Sequence, residues 1–254
     1  MSHAESIETR INQMKEGSIP RHIGIIMDGN GRWATLRGLA RLKGHRAGVE
    51  AVDRVLETVM ALGVDYLTVY AFSTENWKRP TAEVRGLMAL LVEYLDAKLD
   101  KLMANGVCLK AIGDKAGLPE KVQVSLNRVE EKTKANTGLY FNIALNYGGR
   151  QEIVRAARAL AEEVQAGSRS LEDITEESLA DKLYTAGQPD PDFIIRSSGE
   201  FRISNFMLWQ MAYAELWLTD TLWPDFSADD LLDAIADYQK RNRRFGGIDA
   251  KGKV

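Results

Sequence analysis

Six short runs of β-branched and aromatic residues recur along the chain, separated by longer segments with the apolar period of a helix. This alternation is typical of a parallel sheet with crossover helices, and it leaves few other architectures open. The predicted strands are Ile23–Met27, Tyr66–Phe72, Val107–Gly113, Leu139–Leu145, Phe193–Arg196 and Glu215–Leu218. The predicted helices are His45–Leu62, Ala82–Asn105, Pro119–Ala135, Arg150–Gln165, Thr175–Tyr184, Ile203–Met211 and Ala228–Arg243, with a short polar helix near the N-terminus. We therefore predict one α/β domain with a mostly parallel six-stranded sheet flanked by helices.

Charge and cysteine content exclude several classes of protein. The 33 Lys and Arg residues are balanced by 36 Asp and Glu residues, so the net charge of −3 gives no general attraction to nucleic acid. A single cysteine, Cys108, cannot form an internal disulfide and is typical of a reducing compartment. Residues 1–18 are polar and lack the apolar core of a secretion signal, and no apolar run is long enough to span a bilayer. We expect a cytoplasmic protein whose membrane contact, if any, is peripheral.

Glycine and arginine follow four of the predicted strands, where ligands bind in an open α/β sheet. The loops begin at Asp28, Ser73, Asn146 and Arg196. Glycine lets backbone N–H groups approach an oxyanion, and the arginine fork matches phosphate oxygens. Residues 32–46 carry six basic side chains, counting His45, and no acidic one. Phosphate recognition is the interpretation that this pattern favours, with the positive end of the helix predicted from His45 directed at the same anion.

Asp28 is the exception among these groups, because a carboxylate repels a phosphate unless a cation lies between them. Mg²⁺ is the natural intermediary, since it is held by one or two carboxylates together with phosphate oxygens and water. Glu215, at the start of the last predicted strand, is a candidate for a second carboxylate.

The first of these loops allows three interpretations. Residues 29–34 formally match a dinucleotide-binding fingerprint, but the acidic residue required about 20 positions later is missing from a second strand. An aspartyl phosphatase would need a nucleophile where Ile26 stands. The third interpretation places Asp28 and Mg²⁺ beside a diphosphate, with arginines for a second anion and apolar surface nearby, which suggests a prenyl diphosphate substrate.

Five ordered segments resemble motifs of the cis-prenyltransferases, most closely those of undecaprenyl diphosphate synthases. They are HIGIIMDGNGRWA at 22–34, GHRAG at 44–48, YAFSTENWKRP at 70–80, NYGGR at 146–150 and RSSGEFRISNFMLWQMAYAELWLTDTLWPDF at 196–226. The resemblance implies a catalytic domain over residues 19–247, a C-terminal tail at 248–254 and a homodimer. It also implies that residues 241–247 reach toward the partner subunit.

The resemblance further implies roles for individual residues. Asp28 matches the essential acid that handles Mg²⁺ and the departing diphosphate, Asn76 the proposed proton acceptor, and Glu215 a metal-binding glutamate. The positions that match substrate-binding residues are Gly29, Asn30, Gly31, Arg32, Trp33, Arg41, His45, Ser73, Thr74, Glu75, Trp77, Arg79, Arg196, Arg202, Ile203 and Ser204. Val49, Ala71, Leu91 and Leu139 are expected to line an apolar substrate tunnel.

The activity implied is repeated addition of isopentenyl diphosphate to farnesyl diphosphate, with a cis double bond formed each time. The expected product is undecaprenyl diphosphate, the lipid-carrier precursor for cell-wall glycans. Two alternatives remain open at this point: a synthase of shorter cis-prenyl chains, and a non-catalytic subunit that stabilises a partner.

Overall fold

A single all-parallel sheet forms the centre of the computed structural model, which describes residues 3–241, with side chains from residue 7 onward. Its strands are β1 (His22–Ile26), β2 (Tyr66–Ser73), β3 (Val107–Ile112), β4 (Leu139–Tyr147), β5 (Phe193–Arg196) and β6 (Glu215–Leu218). They lie in the order β3-β4-β2-β1-β5-β6. The predicted α/β class and the six strands are confirmed, and the sheet is parallel throughout rather than mostly so.

Eight helices accompany these strands within the described residues. They are α1 (His3–Met14), α2 (Asn30–Leu36), α3 (Arg41–Leu62), α4 (Thr81–Ala104), α5 (Glu120–Thr133), α6 (Gly149–Gln165), α7 (Glu176–Ala180) and α8 (Ala228–Lys240). The larger core lies between one face of the sheet and α3, α4, α5 and α8. On the opposite face, apolar side chains from β1 to β5 form a second core with Phe206 and Met207. Both faces of the sheet are therefore buried, as expected for parallel strands, except at the edge strand β6, where Leu216 is exposed.

The predicted helix Ile203–Met211 is wrong. Residues 203–211 form turns instead, and Ser204, Asn205 and Met207 all have positive φ. A left-handed backbone is costly for residues other than glycine, so other contacts must hold it in place. Phe206 and Met207 are completely buried beneath this segment and anchor it. The predicted helix Thr175–Tyr184 also ends early, at Ala180.

The corner between α2 and α3 was not predicted. The helix expected from His45 begins at Arg41 instead. His45 therefore lies in its second turn, and the positive N-terminal end of the helix is at Arg41 rather than at His45. Before it, α2 occupies the loop expected to remain irregular. A Cβ on Gly44 would lie 2.0 Å from the carbonyl oxygen of Asn30, and one on Gly48 would lie 2.2 Å from Asn30 Oδ1. Only glycine permits this approach, which holds Asn30 against α3.

Candidate active site

Asp28 lies just past the end of β1, at the carboxyl edge of the sheet. Its Oδ1 accepts the Gly29 N–H at 2.7 Å and its Oδ2 accepts Nη2 of Arg196 at 2.8 Å. Burial alone would raise the pKa of Asp28, but the hydrogen bonds from Arg196 and Gly29 outweigh it and lower that pKa. The carboxylate is therefore ionised at neutral pH and fixed by donors on two sides.

Arg196 is the last residue of β5, and β5 is the neighbour of β1 in the sheet. Its side chain is only 3% exposed. Besides Asp28 it donates to Ser204 Oγ at 2.8 Å and to the Arg202 carbonyl. Its Nε is buried and has no hydrogen-bond partner among the described residues. A buried cationic donor left unpaired in a folded protein calls for an explanation, and an anionic ligand is the simplest one.

Three cationic or basic side chains converge on Glu83, near the start of α4. Arg41 Nε donates to Oε2 at 3.0 Å, while Arg79 Nη1 and His45 Nε2 lie 3.2 and 3.3 Å from Oε1. Burial lowers the pKa of His45, although the hydrogen bond to Glu83 opposes it. Glu83 thus gathers residues from α3 and from the loop after β2 into one place. The sequence does not distinguish Glu83, because acidic residues are common in the first turn of a helix.

The loop after β2 is a 3₁₀ turn over Thr74–Lys78. The Asn76 side chain accepts the Ser73 N–H at 3.1 Å, which closes a capping box at the start of the turn. Glu75 accepts Nδ2 of Asn205 at 3.1 Å, and Trp77 Nε1 donates to Asn146 Oδ1 at 2.7 Å. The turn is therefore tied to two other loops at the same edge of the sheet.

Asn205 connects three of these loops and was also not anticipated. Its Oδ1 accepts the N–H of Arg150 at 2.9 Å, and its carbonyl accepts the N–H of Gly149 at 2.7 Å. The same side chain donates to Glu75, as described above. A φ of 64° gives Asn205 this reach, and asparagine is one of the residues that tolerate such a backbone. The sequence predicts a helix at this position, and the positive φ values of Ser204, Asn205 and Met207, which a helix does not have, are visible only in the structure.

These loops enclose a polar cleft at the carboxyl edge of the sheet. It is lined by the predicted tunnel residue Ala71 and by ten of the predicted catalytic and substrate-binding residues: Asp28, Asn30, His45, Ser73, Glu75, Asn76, Arg79, Arg196, Arg202 and Ser204. Gly29, Gly31, Arg32 and Arg41 line an adjoining recess. Trp33, Thr74, Trp77 and Ile203 lie outside the lining of both. Trp33 Nε1 instead donates to Asp225 at 2.6 Å, and the Arg37 guanidinium stacks on its ring.

An apolar cavity of about 110 Å³ lies directly beneath the cleft, between the sheet and helices α3 and α4. It shares five lining residues with the cleft: Met27, Asn30, His45, Ala71 and Leu87. Val49, Ala71 and Leu91 line it, as expected of tunnel residues. Leu139 does not line it but is buried at the start of β4, on the same strand face as the lining residues Phe141, Ile143 and Leu145.

The structure does not bring Glu215 and Asp28 together within one chain. Glu215 pairs with Phe193 at the amino edge of the sheet, level with Ile23, and Asp28 lies five residues beyond Ile23, roughly 16 Å along the strand. The Glu215 carboxylate accepts Nη1 of Arg241 at 3.0 Å. In the described part of the chain no three acidic, histidine or cysteine side chains are grouped as metal ligands. A Mg²⁺ site needs only one or two carboxylates when phosphate oxygens complete it, so Asp28 fits that role on its own.

A polar, cation-rich cleft above an apolar cavity suits a ligand with a diphosphate head and a hydrocarbon tail. A family model described as "Putative undecaprenyl diphosphate synthase" matches residues 26–246. The chain belongs to this prenyltransferase family. As a prenyltransferase it is 55% identical over 233 residues to an isoprenyl transferase of Clostridium perfringens, covering 92% of each chain. It is 54% identical to that of Heliobacterium mobile, over 93% of this chain and 91% of the relative.

Solved structures agree with this assignment. A lavandulyl diphosphate synthase from Lavandula x intermedia, in complex with dimethylallyl diphosphate, is 39% identical with a TM-score of 0.88, covering 90% of this chain and 98% of that one. A probable undecaprenyl diphosphate synthase from Campylobacter jejuni is 35% identical with a TM-score of 0.75, covering 91% and 100%. The prenyltransferase described here is therefore an enzyme that transfers prenyl groups and acts on prenyl diphosphates.

No helix among residues 3–241 is long and apolar enough to cross a bilayer. The predicted motif at residues 241–247 and the tail at 248–254 lie outside the described residues, except for Arg241.

Proposed function

We propose that the enzyme extends farnesyl diphosphate by repeated condensation with isopentenyl diphosphate, forms a cis double bond at each step and releases undecaprenyl diphosphate, a lipid-carrier precursor for cell-wall glycans. One observation carries the proposal: the polar cleft and the apolar cavity share five lining residues. A diphosphate held in the cleft can therefore keep its hydrocarbon in the cavity while the chain grows.

The first step breaks the allylic C–O bond and places negative charge on the departing diphosphate. Donors fixed before the reaction stabilise such charge without reorganisation. Arg32 and Arg41 line the recess beside Asp28, and the N–H groups of α2 begin at the same point. The apolar lining below the cleft excludes water, which would otherwise quench the allylic cation.

The second step joins the allylic carbon to the terminal alkene carbon of isopentenyl diphosphate and removes a proton to form the new double bond. Arg196, Arg202 and Ser204 are the residues that would hold the diphosphate of this second substrate, and the unpaired Nε of Arg196 supports that role. An amide is a weak base, and Asn76 Oδ1 already accepts the Ser73 N–H. We therefore assign Asn76 to orienting the substrates, while a diphosphate oxygen accepts the proton.

Asp28 would hold Mg²⁺ in this scheme. When bound, the ion neutralises diphosphate charge and makes it a better leaving group. The carboxylate is ionised and half-buried at the cleft, and Arg196 and Gly29 hold it in place. With these two contacts made, the carboxylate still lines the cleft, where it would contact the ion.

Incubation of the purified chain with farnesyl and isopentenyl diphosphates, followed by mass spectrometry of the extracted lipid, tests the proposal. We expect a ladder of prenyl diphosphates ending at the undecaprenyl length with Mg²⁺, and no condensation after chelation with EDTA. Unchanged turnover in EDTA would contradict the metal role, and absence of any elongated product would contradict the proposed reaction.

A synthase of shorter chains is the second candidate. The similar structure of lavandulyl diphosphate synthase, which holds dimethylallyl diphosphate, favours it. The two candidates differ only in how far elongation runs. The same mass spectra separate them, because a product that stops well short of the undecaprenyl length supports the second.

We also propose that two copies of the chain associate through the β6 edge of the sheet. β6 is the last strand in the sheet order, Leu216 on it is exposed, and Tyr213, two residues before the strand, is 73% exposed. Exposed sheet edges and apolar patches of this kind are typical of protein interfaces. Sedimentation equilibrium should give twice the monomer mass, and Leu216→Lys should shift it toward the monomer.

Peripheral membrane contact is proposed for product release. Leu36 and Leu39, at the α2–α3 corner, are exposed beside Arg37 and Lys43. Apolar and basic residues side by side favour an anionic lipid surface. Sedimentation with vesicles of anionic lipid should recover more protein than with neutral vesicles, and Leu36→Ser with Leu39→Ser should remove the difference.

A further inference from the structure

Tyr94, near the middle of α4, lines two separate spaces. It contributes to the inner end of the apolar cavity, and it also lines a much smaller pocket of about 20 Å³ between α3 and α4. We call this smaller space the inner pocket. Tyr94 is the single residue that the two linings have in common. Its side chain therefore stands between the space proposed for the growing prenyl chain and a further space beyond it.

The phenol of Tyr94 is held by packing alone. The residue is 7% exposed, and its hydroxyl is buried with no hydrogen-bond partner within the described part of the chain. Burial raises the pKa of Tyr94 and the carboxylate of Asp53 raises it further, so the phenol is neutral. A buried tyrosine hydroxyl usually finds a partner, and its absence leaves the ring without a polar anchor.

The inner pocket is too small to hold an isoprene unit by itself, but it would add to the space that a smaller side chain at position 94 would free. Its inner lining includes Leu56, Met60 and Leu102, which are apolar. At its rim, Lys98 pairs with Asp53 at 2.7 Å and Lys101 pairs with Glu57 at 2.6 Å. Ion pairs at a protein surface contribute little to stability, so they close the pocket only weakly. Tyr94 is the larger obstacle between the cavity and this pocket.

We propose that Tyr94 is a specificity-determining residue that closes the inner end of the apolar cavity and limits the number of isoprene units in the product. The proposal rests on the proposed elongation reaction and adds to it the place where growth stops. A tyrosine that only fills the core would also be buried, but it would not separate two spaces along the direction in which the chain must grow.

Product length tests the proposal directly. Tyr94→Ala should join the two spaces and shift the product distribution to longer chains by at least one isoprene unit, whereas Tyr94→Trp should shift it to shorter ones. Tyr94→Phe should leave the length unchanged, because it removes only the unpaired hydroxyl. Tyr238→Ala is the matched control, since Tyr238 is equally buried on α8 and packs on Phe193 outside both spaces. Tyr94→Leu replaces Tyr94→Ala if the latter fails to fold.

A binding experiment separates this proposal from the proposed reaction. In the wild type, n-alkyl phosphates of increasing length should bind up to about fourfold more tightly per added methylene until the chain fills the cavity, after which affinity levels off. In folded Tyr94→Ala or Tyr94→Leu that plateau should move to longer chains. An unmoved plateau, or wild-type product lengths in both folded variants, would overturn the role of Tyr94. Wild-type protein that binds the alkyl phosphates but makes no prenyl product would contradict the proposed reaction alone.

Discussion

Asp28 and Arg196 are each other's counter-ion at the point where two neighbouring strands end. Asp28→Asn keeps the shape of the side chain but leaves the buried guanidinium without its charge partner. We expect turnover to fall at least a hundredfold and the free energy of unfolding to fall by about 1–3 kcal/mol. Steady-state rates and urea denaturation measure both effects. Asp65→Asn is the control, because Asp65 forms an exposed pair with Arg21 away from the site and should change stability by less than about 0.5 kcal/mol.

His22 predicts how stability depends on pH. Its ring is buried, with Nδ1 donating to the Pro189 carbonyl at 2.7 Å and Nε2 accepting from Thr68 Oγ1 at 2.8 Å, as the neighbouring acceptor and donor require. Burial lowers the pKa of His22 to about 4. An unfolded histidine has a pKa near 6.5, so between about pH 6.5 and pH 4 the unfolded chain binds a proton that the folded chain does not.

The free energy of unfolding should therefore fall as pH falls through that window, by about 3 kcal/mol from His22. Urea titrations at a series of pH values measure the slope. In His22→Asn the slope should flatten, with a residual part from His45, whose pKa is also lowered, and near pH 4 from carboxylates with a lowered pKa such as Glu83. The full slope retained in the folded variant would show that His22 is not its source.

At the scale of elements, the contact between α2 and α3 positions Asn30 and His45 at the site. Gly48→Ala would press a methyl group on Asn30 Oδ1, and this methyl group would also lie only 3.0 Å from Trp223 Cδ1. We expect a loss of about 1–3 kcal/mol in unfolding free energy and a higher KM for the allylic diphosphate. Thermal unfolding and steady-state kinetics test this prediction.

Gly86→Ala is the matched control for Gly48→Ala, because both glycines lie inside long helices. The nearest atoms to a Cβ at Gly86 belong to the end of the Leu42 side chain, which can move aside. Alanine favours a helix over glycine by about 1 kcal/mol, so Gly86→Ala should be neutral or stabilising. A loss of stability equal to that of Gly48→Ala would argue against a specific contact between α2 and α3.

The strands were predictable because most of them are buried on both faces of a parallel sheet and read as short apolar runs. β5 and β6 coincide with their predictions, and β4 differs by two residues at one end. The helix predicted for residues 203–211 was wrong because their apolar side chains anchor a series of turns. Over so short a segment, the spacing of apolar residues in such turns is similar to that in a helix. The start of α3 was predicted four residues too late because residues 41–44 are mostly basic residues and glycine, which do not indicate an apolar helix face.

Most of the candidate site could be predicted from the loops that follow the strands, because the topology of a parallel sheet brings these loops to one edge. Glu83, Asn205 and Tyr94 could not be found that way. Glu83 and Asn205 act through partners on other elements, 42 residues away for Glu83 and Arg41 and 130 for Asn205 and Glu75, and Tyr94 acts through the two spaces that it separates. Such roles depend on how helices pack on the sheet, and sequence periodicity does not determine that packing.

At the scale of the whole molecule, the cleft opens at one edge of the sheet and the apolar cavity runs into the body of the protein. Ala71, on β2, lines both and stands at the passage between them. Its small side chain leaves the passage open. A bulkier residue should obstruct a long prenyl chain while leaving the cleft available to short substrates.

Ala71→Phe tests this arrangement. The first condensation on farnesyl diphosphate should keep a rate within about tenfold of the wild type, because the polar groups of the cleft are unchanged, whereas later steps should stop and short intermediates should accumulate. Single-turnover kinetics and mass spectrometry of the lipids separate the two effects. Val154→Phe, at an exposed position on α6 away from the cavity, should give wild-type lengths. Full-length product from folded Ala71→Phe would mean that the chain grows by another route, because the enlarged side chain leaves no room for it to pass β2.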